Sequence, residues 1–159
     1  MPEADLQRAV ERLHARYAQA LDADRLEDWP GFFTEAGRYR IATAENEARG
    51  LPAPILLAES RAMLRDRVAS LRNASVYEPQ RYRHMISAAL VERIDGARAR
   101  SVANFLVLRI LQDGDTALFA SGRYLDRIVL RGERGEPQYE ERVVVCDSRK
   151  FDTLLAIPL

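Results

Sequence analysis

The chain has 159 residues, with 24 basic and 24 acidic side chains and a formal net charge of zero. That length suits a single domain over 1–159, burying roughly 68–70% of its unfolded surface, and a hydrophobic share of 47% argues against disorder. Neutrality argues against nucleic-acid binding, no apolar run nears the roughly 20 residues of a membrane span, and a lone Cys146 cannot close an internal disulfide. A cytoplasmic protein that meets neither nucleic acid nor membrane is the expectation.

The opening MPEADLQRAVERLHARYA spreads charge through a helical pattern and reads as no signal peptide. Across 4–23, Leu6, Val10, Leu13, Tyr17 and Leu21 fall at spacings of three and four, one stripe of an amphipathic helix. His14 lies beside that stripe and reads as a partly exposed helix residue. Asp24 then reads as the cap of a short second helix, with Leu26, Trp29, Phe32 and Phe33 inward and Pro30–Gly31 interrupting it. Residues 35–43 read as a strand and 44–58 as an irregular loop holding Gly50, Pro52 and Pro54. A third helix spans 59–73, with Met63, Leu64, Val68 and Leu71 inward and Arg61, Arg65, Asp66, Arg67 and Arg72 on a solvated face.

The period then changes. Residues 81–94, 99–112, 116–130 and 138–148 read as strands, with Asp95-Gly96 and Asp113-Gly114 as hairpin turns and a looser turn over 131–137. Helices followed by such a meander imply an α+β fold: three N-terminal helices packed on a curled antiparallel sheet. Strands this long need twist or bulges, and the sheet is expected to curl into a cone. The final FDTLLAIPL holds Phe151, Leu154, Leu155, Ile157 and Leu159 and has to be tied down on its own sheet or on another chain.

Chemistry can be tested by counting. A Rieske cluster takes two Cys and two His, and this chain has Cys146, His14 and His84, so it cannot carry one. A two-His iron site is allowed by count, but the histidines are far apart and lack a supporting motif. Nucleotide loops and the GxSxG elbow are missing, so no catalytic, metal or cofactor residue is assigned. The one acid/base set is Tyr17, Asp24, Trp29, Tyr39, His84 and Asn104, which would line the interior of an open cone. Against it stands a plainer reading: His84 is a hydrogen-bonded residue of the RYRH segment, and Asp24 a helix cap. Of the basic residues, 23 are Arg and one is Lys150. Codon bias explains that skew, and so does a use of Arg in interchain ion pairs.

The pieces YAQALDADRLEDWPGFFTEAGRYRI (17–41), MLRDRVASLRNASVYEPQRYRH (63–84), FLVLR (105–109), SGRYLD (121–126) and ERVVVCDSRKFDTLLAIPL (141–159) together resemble the small (beta) subunits of Rieske-type aromatic-ring-hydroxylating dioxygenases. The closing CDS…DTLLAIPL is most similar to the terephthalate dioxygenase kind, with the anthranilate and salicylate kinds still open. The resemblance implies a nuclear transport factor 2-like (cystatin-like) cone, α3β3 assembly with a large alpha subunit, and beta–beta contacts. It places the Rieske [2Fe–2S] cluster and mononuclear non-haem Fe(II) in the large subunit, with NAD(P)H acting through a separate reductase. It implies a structural role for this chain and transfers no catalytic residue to it. Interchain ion pairs are then expected from Arg81, Tyr82, Arg83, His84, Arg109, Arg123, Arg142 and Asp147. The rivals are a free-standing cone-fold dehydratase or isomerase and a small-ligand-binding module. A cone filled by Trp29, Phe32, Tyr39 and Phe105 would exclude both.

Overall fold

A computed structural model describes all residues except 52, 74–78, 133–134 and 149–156. Helix α1 runs over Glu3–Asp22 and buries the expected stripe of Leu6, Val10, Leu13, Tyr17 and Leu21. The buried face is wider than that one row. His14 and Ala18 are covered as well, because the sheet curls over both flanks of the helix. His14 is therefore a core residue, contrary to the partly exposed position expected for it. Asp24 does not cap the next element. It takes φ 58°, in the left-handed region, and turns the chain into a 3-10 helix over Leu26–Phe32 that accommodates Pro30. That helix and the residue after it bury Leu26, Trp29, Phe32 and Phe33, as the spacing required.

Strand β1 covers Phe33–Thr43. The segment read as a loop contains two short elements. One is α2 over Ala44–Ala48, where the Thr43 hydroxyl accepts the Asn46 amide hydrogen; the other is β2 over Leu56–Ala58. Neither is long enough to show a period. Helix α3 spans Arg61–Asn73 and buries Leu64, Val68 and Leu71. Met63 is exposed instead, and Arg61 is buried, its guanidinium donating to the Phe33 carbonyl oxygen.

The rest is sheet: β3 (Gln80–Ile86), β4 (Leu90–Arg93), β5 (Arg98–Leu111), β6 (Thr116–Val129) and β7 (Gln138–Cys146). The strand order is β2-β1-β7-β6-β5-β3, with β4 also on β5. The pairing is antiparallel except that β1 runs parallel to β7, so the sheet is mixed rather than wholly antiparallel. Asp95 and Asp113 side chains accept backbone N–H bonds inside the two expected hairpin turns.

Bulges supply the expected curl. The strand read as 81–94 breaks where Ser87–Ala89 face Ala103 and Asn104, dividing it into β3 and β4. Phe119 is the extra residue where β6 shifts against β5, so it turns inward beside Ala120. A register shift between β1 and β7 is made possible by Gly37, where a Cβ would crowd the Thr34 carbonyl. Gly122 lets β6 approach β7 closely; a Cβ there would overlap the Val145 carbonyl. No described helix is long and apolar enough to cross a membrane.

The candidate site: a filled cone and its outer face

Inside the cone, alternation along β6 turns Tyr124 and Asp126 toward α1, and on β7 the register shift at Glu140 brings Tyr139 and Arg142, three residues apart, to that same face. The Arg142 guanidinium is fully buried. It donates from Nε and NH2 to the two Asp126 oxygens at 2.8 Å each. Its carbon also lies 4.3, 3.9 and 4.1 Å from the ring centres of Tyr17, Tyr124 and Tyr139, a three-ring cation–π cage. Arg142 was expected at a subunit interface; alternation and the Asp126 counter-charge put it in the core instead.

His14 completes this network. Its Nδ1 lies 2.9 Å from Arg142 NH2 and 2.7 Å from the Tyr139 hydroxyl, and its Nε2 lies 3.2 Å from Ser101 Oγ. A guanidinium can only donate, so Nδ1 accepts and the proton sits on Nε2. Ser101 in turn donates to Asp126 at 3.3 Å. Burial, then the Arg142 charge, lowers the His14 pKa from 6.5 to about 4, against an opposing pull from Asp126. The imidazole is neutral at neutral pH and serves as an acceptor for Arg142.

The remaining interior is packed with rings. Trp29 and Tyr39 meet edge to face at 5.1 Å, Tyr17 and Phe32 at 5.7 Å, and Phe105 stacks on Tyr124 at 4.5 Å. Trp29 donates to the Tyr17 hydroxyl. Tyr17 and Tyr39 donate to the Leu159 main-chain oxygen at 2.7 and 3.1 Å. Leu159 and Ile157 are buried, so this part of the apolar tail is tied down inside its own cone. Phe151, Leu154 and Leu155 lie outside the described residues.

A second pair sits at the end of α1. Asp22 takes the His84 Nδ1 hydrogen bond at 2.6 Å and also accepts from the His84 backbone N–H. The Asp–His pairing expected of His84 therefore exists, but with Asp22 rather than Asp24. Asp24 is exposed and pairs with Arg72, which also binds Glu27. Asp22 had a legible signal: it follows His14 and Ala18 at helical spacing, on the second buried row that the single-stripe reading missed. Asn104 is exposed on the outer side of β5 and lines no interior.

The residues expected at an interface divide by face. Tyr82, His84 and Arg109 point inward and are buried with Arg142, so the expectation is corrected for all four. Arg109 lies over the Phe119 ring, 5.3 Å from its centre. Arg81, Arg83 and Arg123 are exposed on the outer face, and Asp147 accepts from Ser121 Oγ at its edge.

Metal ligation finds no support in the donor set. Among the described residues no three His, Cys, Asp or Glu side chains gather as a metal site. Burial pushes the Cys146 thiol up to about 12, the opposite of what a ligating thiolate needs. His14 and His84 spend Nδ1 on Tyr139 and Arg142, and on Asp22.

A helix-filled cone with a paired core defines the class: the chain belongs to the SnoaL-like domain family, whose model matches residues 2–135. It is 42% identical over 150 residues to the beta 1 subunit of the terephthalate 1,2-dioxygenase terminal oxygenase component of Comamonas sp., covering 94% of this chain and 96% of that one. It is 40% identical to the anthranilate 1,2-dioxygenase small subunit of Burkholderia cepacia, covering 92% of this chain and 90% of that one. A crystal structure of a beta subunit assigned to an aromatic-ring-hydroxylating dioxygenase of Novosphingobium aromaticivorans superposes with a TM-score of 0.89 at 33% identity, covering 99% of each chain. Within the SnoaL-like class, the chain therefore belongs to the beta subunits of aromatic-ring-hydroxylating dioxygenases.

Proposed function

We propose that this chain, as one domain, is the non-catalytic beta subunit of the terminal oxygenase component of a ring-hydroxylating dioxygenase that acts on an aromatic carboxylate of the terephthalate kind. The observation that carries the reading is the filled interior. Arg142, His14 and the aromatic cage occupy the space in which a cone-fold dehydratase or binding module would hold its ligand. The partner is a large alpha subunit, in an α3β3 assembly with beta–beta contacts. That partner carries the Rieske [2Fe–2S] cluster and the mononuclear non-haem Fe(II), and a separate reductase delivers electrons from NAD(P)H. The complex works in the cytoplasm, bound to neither membrane nor nucleic acid. Arg81, Arg83, Arg123 and Asp147 are the interface residues that the outer face supplies.

Co-expression with the large subunit encoded beside it tests the reading. The expected result is a hexamer that dihydroxylates an aromatic carboxylate when given its reductase. A chain that stays monomeric beside that partner overturns it. So does turnover of a hydroxy- or keto-compound by the chain alone that is lost in His84→Ala.

A further inference from the structure

Outside the filled cone, a cleft of about 670 Å³ opens between the outward side of α1, helix α3, the 3-10 helix and residues 136–138. Small-molecule sites span roughly 300–1,000 Å³, so the space is of the right order for one. Arg12, Arg16 and Gln19 fall four and three residues apart, and this row of α1 makes one wall. Arg61 and Arg65, four apart on α3, make another. The 3-10 helix touches both helices and joins the two walls. Leu13, Ala20 and Phe32, all buried, give the cleft an apolar floor.

Five guanidinium groups line this space against three carboxylates. Each carboxylate is already committed: Glu136 to Arg16, Asp28 to Arg25 at 3.2 Å, and Glu27 to Arg72 at 2.8 Å. Arg61 is buried and donates from Nε to the Phe33 carbonyl oxygen at 3.0 Å, a neutral acceptor that holds the side chain without cancelling its charge. Arg12 and Arg65, one on each wall, have no ion pair among the described residues. Like charges on two walls of a cleft focus the potential between them and draw in anions. A guanidinium fork matches a carboxylate in two parallel hydrogen bonds.

We infer that this cleft binds a small aromatic dicarboxylate, with Arg12 and Arg65 each taking one carboxylate and the ring lying on the apolar floor. Cations on two walls call for two anionic groups on one rigid body, and the floor between them calls for a ring. The concave shape suits a free small molecule better than the side chain of a partner protein. The site stands apart from the proposed function, because ligand binding here needs no large subunit and no chemical step.

Equilibrium dialysis of the full chain at low ionic strength, without the large subunit, tests the inference with terephthalate, benzoate and inorganic phosphate as probes. The expected result is saturable binding of one terephthalate per chain with a Kd on the order of 1 mM or below. Benzoate should bind several-fold more weakly, and phosphate more weakly still. Arg12→Gln combined with Arg65→Gln should weaken terephthalate binding by roughly tenfold or more. Its melting temperature should not move, since neither residue has an ion pair to lose. Binding that does not saturate, equal affinity for the three anions, or full terephthalate affinity in the double variant each overturns the inference. A double variant that keeps terephthalate but loses the large subunit overturns it too, because the two arginines would then await a partner's carboxylates. The ranking of the three anions is read on the unmodified chain and holds whatever the variant does to folding. Failure of the chain to assemble with the large subunit is a separate result: it overturns the proposed function and leaves this site standing.

Discussion

Arg142 and Arg123 lie on neighbouring strands and meet opposite fates. Arg142 faces the helix, is wholly desolvated, and is neutralised by Asp126 and three aromatic rings. Arg123 sits on β6 three residues before Asp126, faces outward, and has no ion pair among the described residues. A buried guanidinium needs its counter-charge within the chain, at a cost of several kcal/mol if that is lost; an outward one can wait for another chain. The inner face therefore bears on stability and the outer face on assembly.

The inner face should break hardest. Asp126→Ala strands the Arg142 charge in the core and is expected to cost about 3–5 kcal/mol, read from urea unfolding. The double variant Asp126→Leu with Arg142→Met should lose less than Asp126→Ala alone, since no buried charge is left without a partner. A double variant at least as unstable as the single one would show that the rings, not the ion pair, hold this region.

Acid should act on the same network. His14 is held at about 4 when folded and returns to 6.5 when unfolded. The unfolded chain therefore binds the extra proton first as pH drops. The contribution of His14 is complete above pH 6.5, falls away between 6.5 and 4, and amounts to about 3 kcal/mol. Urea midpoints measured from pH 7 to 4 should decline, and the decline should be shallower in His14→Asn. Equal slopes would move the acid sensitivity to other groups.

Tyr17→Phe removes a donor to Leu159 and the acceptor for Trp29, so a loss of about 1–3 kcal/mol is expected in thermal melts. The smallest effects belong to the outside. Arg72→Ala breaks ion pairs to exposed Asp24 and Glu27 and should cost less than about 1 kcal/mol, shrinking further with added salt. Arg123→Glu should leave the melting of the isolated chain unmoved. A large stability loss there would erase the contrast between the two faces.

Much of this architecture was legible in the residues. Three- and four-residue spacing marked α1 and α3, Asp-Gly pairs marked two hairpins, and period-two runs marked β5, β6 and β7, because local periodicity follows directly from backbone geometry. The count of Cys and His already limited what metal chemistry the chain could carry. Other features were illegible because they come from chain segments far apart in sequence. The bulge that splits 81–94 depends on what β5 presents to it, and the parallel pairing of β1 with β7 joins strands about a hundred residues apart. His14 and Arg142 look like ordinary surface residues on a helix and a strand; only closure of the sheet over α1 buries them and pairs them.

The excess of Arg over Lys shows the same division. Sequence alone determined that 23 Arg and one Lys balance 24 acids, and that a cone of helices and strands would hold them. Tertiary structure alone decided which Arg face inward and which face outward. Burial and pairing depend on the register of distant strands and on their bulges, which no local pattern records.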